Sequence, residues 1–309
     1  MHRRWSAESD WDPNEEEPQK TGWNAGKYFT LMLWDTDEIS KPPMSFTDNP
    51  YGCPRDSLQI VSIKIATIRG DLQWPIHVFG MVTARDVLEF ERKRNIVFAR
   101  PRSNCQTITE EHPYLALTGP TRALVTSIDA GVIEIMLKVK GVTESDDRDL
   151  TFLVLPLKSS RYCSFHEDYT RKRSTLKLEF RHICRALEAI ISVRLIGDSS
   201  LPPSDFQGVF TASTARIDGL EVVLLTFREG HLPIANDGTI NLSRRVISVE
   251  FHDEEELKIS ILSGCADNAH VATRDDIVFT PQLYGRSSGI FNVSMCKMQV
   301  TVAWSLFDY

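Results

Sequence analysis

The sequence predicts a mainly β protein, with an antiparallel β-sandwich-like body behind a disordered acidic N-terminal tail. Two observations predict the strands: apolar and polar residues alternate with a period of two, and turn-forming pairs separate the alternating runs. A third observation, the polar and proline-punctuated composition of residues 1–54, predicts the tail. The body, residues 55–309, is long enough to bury a substantial core.

The clearest alternation occurs in three runs. IEIMLKVK (133–140), ELKISIL (256–262) and QVTVAWSLF (299–307) each place apolar side chains at every second position. This pattern is typical of strands that pack one face on a core and expose the other to water. The turn-forming pairs between such runs include Gly70-Asp71, Gly119-Pro120 and Asp237-Gly238.

One stretch leaves two interpretations open. In FRHICRALEA (180–189), Phe180, Ile183 and Leu187 stand at helical spacing. The stretch is either a short helix or part of a long bulged strand.

The body contains a faint internal echo, which predicts two related β halves, 55–160 and 161–309. The alternative is that any two antiparallel β segments resemble each other. The echo has an offset of roughly 125 residues. Three segments of the first half are VFGMVTARD (78–86), YLALTGPTRALV (114–125) and GVIEIMLKVKG (131–141). Their counterparts, in the same order, are FQGVFTAST (206–214), TINLSRRVISV (239–249) and DEEELKISILSG (253–264).

Acidic charge is concentrated in the tail. Residues 1–50 carry ten acidic and five basic side chains, whereas the rest of the chain is nearly neutral. The net charge of the body therefore gives no attraction towards nucleic acid. Within the tail, KYFTLMLWD (27–35) is apolar, and it either packs on the body or binds a partner.

The cysteines and the apolar runs predict a cytoplasmic or nuclear protein that is not secreted. No apolar run approaches the roughly 20 residues of a membrane-spanning helix, and the first residues lack the apolar stretch of a signal peptide. The six cysteines are scattered along the chain, which suits reduced thiols better than a disulfide framework.

Four long blocks carry a family resemblance: LQIVSIKIATIRGDLQWPIHVFGMVTARD (58–86), RNIVFARPRSNCQTITEEHPYLALTGPTRALV (94–125), EIMLKVKG (134–141) and MCKMQVTVAWSLF (295–307). They resemble a plant family, abundant in grasses, that is known only as a domain of unknown function. The resemblance implies no established activity and no catalytic residue. Some members look joined to a ribosome-inactivating N-glycosidase domain, which implies stress or defence biology.

The hallmark of that N-glycosidase is a helix with Glu-Ala-Ala-Arg. Its nearest counterpart here is ALEAIISVR (186–194), where Glu188 and Arg194 are too far apart and the intervening residues are largely β-branched. We expect no depurination by this chain.

A serine-esterase skeleton is present in outline. Ser199 in GDSS, with Asp267 and His270, would supply a nucleophile, an orienting carboxylate and a base, and Gly197 an oxyanion donor. The serine leads into prolines and another β segment rather than a helix, so we expect no catalysis. GRSSG (285–289) matches the nucleophile-elbow pattern, but a strand follows it, and we interpret it as a glycine-rich turn.

Four residues have a zinc-like composition: Cys163, His166, His182 and Cys184. The H-x-C spacing of the second pair is unusual for a structural site, and a body of this size needs no metal, so we predict none.

Charged runs are interpreted as solvated. The acidic runs TESDDRDL (143–150) and HDEEEL (252–257) are loops that in some β-sandwiches hold calcium. The basic runs ERKRN (91–95) and TRKRST (170–175) lack interleaved aromatic residues. Arg85-Asp86 is interpreted as a local ion pair.

The leading functional prediction is a non-catalytic interaction or regulatory module, with an unknown protein partner and no cofactor. One alternative is a ribosome- or RNA-directed factor. Another is a calcium-dependent membrane-binding β-sandwich.

Overall fold

The computed structural model describes the body with several short gaps. The described residues are 51–86, 88, 93–126, 131–157, 164–196, 206–215, 221–228, 231–265, 273–293 and 296–307. Residues 1–50, including KYFTLMLWD, lie outside them, and so do Ser199, Asp267 and His270.

Within the described residues the strands form three antiparallel sheets, which confirms the predicted fold class. The central sheet contains β1 (Arg55–Ile68), β7 (Ser164–Thr170), β8 (Ser174–Leu195), β11 (Thr239–Ile240), β12 (Val246–Glu250), β15 (Gly285–Val293) and β16 (Cys296–Ser305). The N-terminal sheet contains β2 (Ile76–Arg85), β3 (Asn95–Arg100), β4 (Gln106–Ile108), β5 (Gly131–Val139) and β6 (Arg148–Leu157). The C-terminal sheet contains β9 (Phe206–Thr214), β10 (Val222–Phe227), β13 (Leu257–Cys265) and β14 (Thr273–Phe279).

Strand β8 is 22 residues long and belongs to both halves of the structure. Its first part pairs with β1 and β7, and its second part pairs with β11, β12 and β16. Arg185, between the two parts, has a φ of 45°, a left-handed conformation that is uncommon for a residue with a Cβ. Residues 180–189 are therefore part of a long irregular strand, because pairing on both sides overrides the helical spacing.

Two hydrophobic cores lie against the two parts of β8. The first core draws on residues 58–180 and packs β1 and β8 against the N-terminal sheet. The second draws on residues 189–304 and packs β8 and β16 against the C-terminal sheet, and it includes the fully buried Trp304. A smaller apolar cluster that includes Ala186 and Phe307 lies apart from both. The boundary at 160/161 between two halves stays a prediction, since β8 contributes to both cores.

Two strands place the same short motif at equivalent positions. GMVTA begins at Gly80 on β2 and GVFTA begins at Gly208 on β9. Gly80 lies opposite Leu137 of β5, and Gly208 lies opposite Ser263 of β13. A Cβ would meet a carbonyl oxygen of the adjacent strand at 2.1 Å from Gly80 and at 2.4 Å from Gly208. The motif thus permits the same close approach in both sheets.

GRSSG (285–289) is not a turn, so the sequence interpretation is wrong here. It begins β15, and Gly285 pairs with Trp304 of β16. Gly285 has a φ of +98° at the strand entry, whereas a Cβ on Gly289 would meet Ile277 at 2.6 Å. Gly285 therefore allows the left-handed backbone at the start of β15, and Gly289 allows the close contact with β14. YLALTGPTRALV (114–125), one of the echoed β segments, is not a regular strand. It joins β1 through isolated bridges at Tyr114 and Val125.

We predict that Gly80→Ala lowers the free energy of unfolding by more than about 2 kcal/mol, because its Cβ collides with backbone that cannot move alone. Gly70→Ala is the matched control: Gly70 also has a positive φ, but nothing lies within 4 Å of its Cβ position. Urea denaturation of both variants measures the difference. Equal losses would mean that backbone strain, not the close approach, decides the effect.

Candidate functional site

The central sheet forms one sandwich with the N-terminal sheet around the first core and a second with the C-terminal sheet around the second core. An open groove of about 1220 Å³ runs between these two sandwiches. One wall comes from β1, β8 and the extended segment 114–117, and the other from the strands of the C-terminal sheet. Its hydroxyl side chains are Ser62, Thr211, Ser213, Thr214, Thr226 and Ser243. Its charged side chains are Arg100, Glu179, Glu221, Arg244, Glu256 and Lys258. Both signs of charge are present, so the lining selects neither polyanions nor polycations.

The outer face of the C-terminal sheet carries exposed aliphatic side chains. Val223 is 47% exposed, Val278 is 50% exposed and Leu262, on the same face, is 42% exposed. The outer face of a sandwich normally carries polar side chains, so this departure marks a surface suited to binding. Val223 and Val278 line the groove.

The opposite wall is held by the Gln106 side chain. Its Nε2 donates to the carbonyl oxygen of Tyr114, and its Oε1 accepts from the backbone N–H of Ala116. The Tyr114 ring is 53% exposed, and the Lys64 ammonium lies 5.7 Å from its centroid. An aromatic ring therefore faces solvent from a fixed backbone.

Arg244 lies at the base of the groove and joins its two sides. Its guanidinium donates to the carbonyl oxygens of Gly119 at 2.9 Å, Val61 at 2.9 Å and Ile60 at 2.5 Å. Its backbone N–H donates to Leu224 of β10. Burial lowers the pKa of Arg244 to about 10, which still leaves the guanidinium charged at neutral pH.

A buried charge cluster lies at the junction of the sandwiches. Asp86 accepts from the Arg122 guanidinium at 2.7 and 2.5 Å and from the backbone N–H of Val125. Glu188 of β8 accepts from the backbone N–H of Ala123 at 2.5 Å. Burial raises the pKa of Glu188 to about 7, although Ala123 and Arg122 favour its charged form. Glu188 and Arg194 both lie on strand β8, so they are not part of a helix like that of the N-glycosidase.

The structure separates the four residues of zinc-like composition. Cys163 lies outside the described residues. His166 is exposed on β7 opposite Glu179, whereas His182 is buried beside Phe180 on the core side of β8. Because successive strand residues face opposite sides, His166 and His182 lie on different faces of the sheet. His182 and Cys184 instead lie close to Asp56.

The acidic runs differ from the predicted solvated loops. In HDEEEL, Glu255 is 2% exposed and accepts from the backbone N–H of Ala215 at 2.8 Å, so the prediction is wrong for that residue. In TESDDRDL, Asp147 pairs with Arg102 at 2.9 Å. Neither run, both of which are described in full, supplies a group at metal-binding spacing.

The basic runs are partly committed to protein contacts. Arg94 pairs with the buried Glu134 at 3.3 Å, and Arg173 donates to the carbonyl oxygen of Asp149. Arg85 also pairs with Glu134, at 2.9 Å, whereas Asp86 binds Arg122. The interpretation of Arg85-Asp86 as a local ion pair is therefore wrong, because each residue contacts a partner distant in sequence.

A family model described as a domain of unknown function, DUF6598, matches residues 57–302. The chain belongs to this family. The predicted membership in a domain family of unknown function is confirmed, whereas the plant origin and the fusion to a ribosome-inactivating domain stay predictions. No curated protein matches the DUF6598 chain.

Solved structures give a weak likeness. Human GIVD cytosolic phospholipase A2 aligns with a TM-score of 0.25 and 10% identity, over 82% of this chain and 33% of that one. The same protein in complex with methyl gamma-linolenyl fluorophosphonate aligns with a TM-score of 0.25 and 11% identity, over 82% and 32%. The DUF6598 chain thus spans a third or less of the length of these matches. The described residues contain no helix that is long and apolar enough to cross a membrane.

Sequence reasoning missed Arg244 and Arg122, although one signal pointed to them. The echoed segments 114–125 and 239–249 of the DUF6598 chain each carry one of these arginines, and both are buried.

We predict that Arg244→Lys destabilises the DUF6598 chain by about 2 kcal/mol, because one ammonium cannot serve three separate buried carbonyl oxygens. Arg245→Lys is the matched control, since Arg245 is the exposed neighbour. Thermal or urea unfolding compares them. An Arg244→Lys variant as stable as the control would contradict the role of Arg244 as a cross-link.

We predict that the free energy of unfolding depends on pH through Glu188. Its folded pKa of about 7 lies above the ordinary glutamate value of 4.5, so the folded chain holds the proton over a pH range where the unfolded chain releases it. Stability should therefore fall as pH rises from about 4.5 to 7, by an amount on the order of 2 kcal/mol, and level off above. Urea unfolding from pH 5 to 8 should show this fall in the wild type and a flatter curve in Glu188→Gln. Parallel curves would refute the assignment.

Proposed function

We propose that this chain is a non-catalytic interaction module that holds an extended segment of a protein partner in the groove. The proposal rests on three exposed aliphatic side chains, Val223, Leu262 and Val278. They lie on the outer face of a sheet, which normally carries polar side chains. Tyr114 on the opposite wall supplies an aromatic contact, a residue type enriched at protein interfaces.

The chemistry of the groove favours a polypeptide of mixed polarity. The groove is open, and its hydroxyls and aliphatic side chains match the alternating polar and apolar groups of an extended chain. Lys258 and Arg100 line the groove together with Glu221 and Glu256, and this mixture of charges disfavours a phosphate backbone.

The non-catalytic part of the proposal rests on the sequence motifs, none of which stands in the strand-to-helix context that its chemistry requires. Under this proposal, no single His, Asp or Ser substitution abolishes partner binding while the fold stays intact. The proposed setting is the plant cytosol or nucleus, in stress or defence, and it rests on the family resemblance and the scattered cysteines.

The test is a capture experiment with matched surface variants. Val223→Asp/Val278→Asp places two charges in the groove, whereas Phe152→Asp/Ile290→Asp places two charges at exposed apolar positions that do not line it. Wild type and both variants are cross-linked in plant leaf extract, with and without RNase. We expect a defined protein to be captured by the wild type and the control, reduced at least tenfold by the groove variant, and insensitive to RNase.

Two outcomes would overturn the proposal. Equal capture by both double variants would show that the groove does not carry the binding. Ribosomal components that disappear with RNase would favour the RNA-directed alternative. A parallel capture with residues 1–54 removed tests whether the tail contributes.

A further inference from the structure

A second site lies outside the groove, where β1 and β8 bring together three side chains with metal-ligating atoms. Asp56, His182 and Cys184 each offer one ligand atom, and these atoms lie within 4.8 Å of one another. None of the three residues lines the groove. Among the described residues this is the group that meets metal-binding spacing.

The measured distances are close to those of a metal site. His182 Nε2 lies 3.7 Å from Asp56 Oδ2, and Cys184 Sγ lies 3.8 Å from His182 Nδ1. Bond lengths of about 2.0 Å to nitrogen or oxygen and about 2.3 Å to sulfur place neighbouring tetrahedral ligands about 3.5 Å apart. These two distances involve different ring nitrogens, and one ion takes only one of them. With one ligand atom from each residue the three atoms lie within 4.8 Å of one another, so a rotation of the exposed Cys184 side chain is sufficient to complete the set.

The backbone around these residues holds two of the ligands in place. Arg185, the left-handed residue directly after Cys184, donates its backbone N–H to Asp56 Oδ1 at 3.0 Å. This bond orients the carboxylate and leaves Oδ2 towards His182, as hydrogen bonds to metal ligands commonly do. His182 is buried and Cys184 is exposed, so an ordered imidazole lies beside an entry path for an ion.

We propose that Asp56, His182 and Cys184 bind a divalent cation of the zinc class, with its fourth position open to water. A thiolate and an imidazole favour Zn²⁺ or Co²⁺ over the hard ions Ca²⁺ and Mg²⁺, which prefer oxygen ligands. The thiolate and the carboxylate together neutralise the charge of the ion. This site departs from the sequence prediction of no metal, because Asp56 is distant in sequence from the H-x-C pair.

The test uses the full chain, stripped with a chelator and kept reduced, and titrated with Co²⁺ and then Zn²⁺. We expect one equivalent of Co²⁺ to give the visible bands of a tetrahedral ion and a thiolate-to-cobalt charge-transfer band, both removed by Zn²⁺. Zn²⁺ should also raise the melting temperature and protect Cys184 from alkylation by iodoacetamide.

Cys184→Ser is the first variant, since its exposed position leaves the fold intact, and Asp56→Asn is the second. Each should lose the charge-transfer band or weaken Zn²⁺ binding at least tenfold. Cys105→Ser and His166→Gln are the matched controls and should bind as the wild type does. Absence of a charge-transfer band in the wild type, or a band unchanged in Cys184→Ser, would overturn the proposal. Neither outcome bears on partner capture in the groove.

Discussion

The structure depends on one constraint: a single strand, β8, is hydrogen-bonded into two sandwiches at once. Its first part packs on the first core and its second part packs on the second core. Arg185, in the left-handed conformation, lies between these two parts. Since the strand is continuous, the two sandwiches cannot separate without breaking the ladders on one side of it. The groove between them is therefore a consequence of the shared strand.

The buried charged side chains Arg122, Glu188 and Arg244 lie where the two sandwiches meet. Arg244 donates to three backbone carbonyl oxygens, two of them beside the register shift of β1, and Asp86 binds Arg122, whose charge acts on Glu188. Removing one partner of such a cluster leaves a buried group unsatisfied, which costs more than the intact cluster contributes. The charges therefore specify how the sandwiches meet, rather than adding much net stability.

The local alternation of residues was sufficient to predict the strands and the fold class, because each strand buries one face. It could not resolve residues 180–189, since helical spacing there reflects two cores meeting along one strand. The long-range contacts were also out of reach: Asp86 with Arg122, Arg244 with Gly119, and Asp56 with His182 join residues distant in sequence. Glu255 was misinterpreted because an acidic run gives no sign of which carboxylate binds backbone.

The groove and the charge cluster are joined by consecutive contacts, so binding in the groove would affect the stability of the junction. Arg244 lines the groove and donates to Gly119, and Arg122, three residues later, binds Asp86 beside Glu188. A partner that fits the groove binds the arrangement in which these contacts are intact and does not bind the unfolded chain. By linkage it stabilises that arrangement in proportion to its occupancy. The proposed interaction module thus needs no conformational change on binding, because its binding surface and the junction depend on the same contacts.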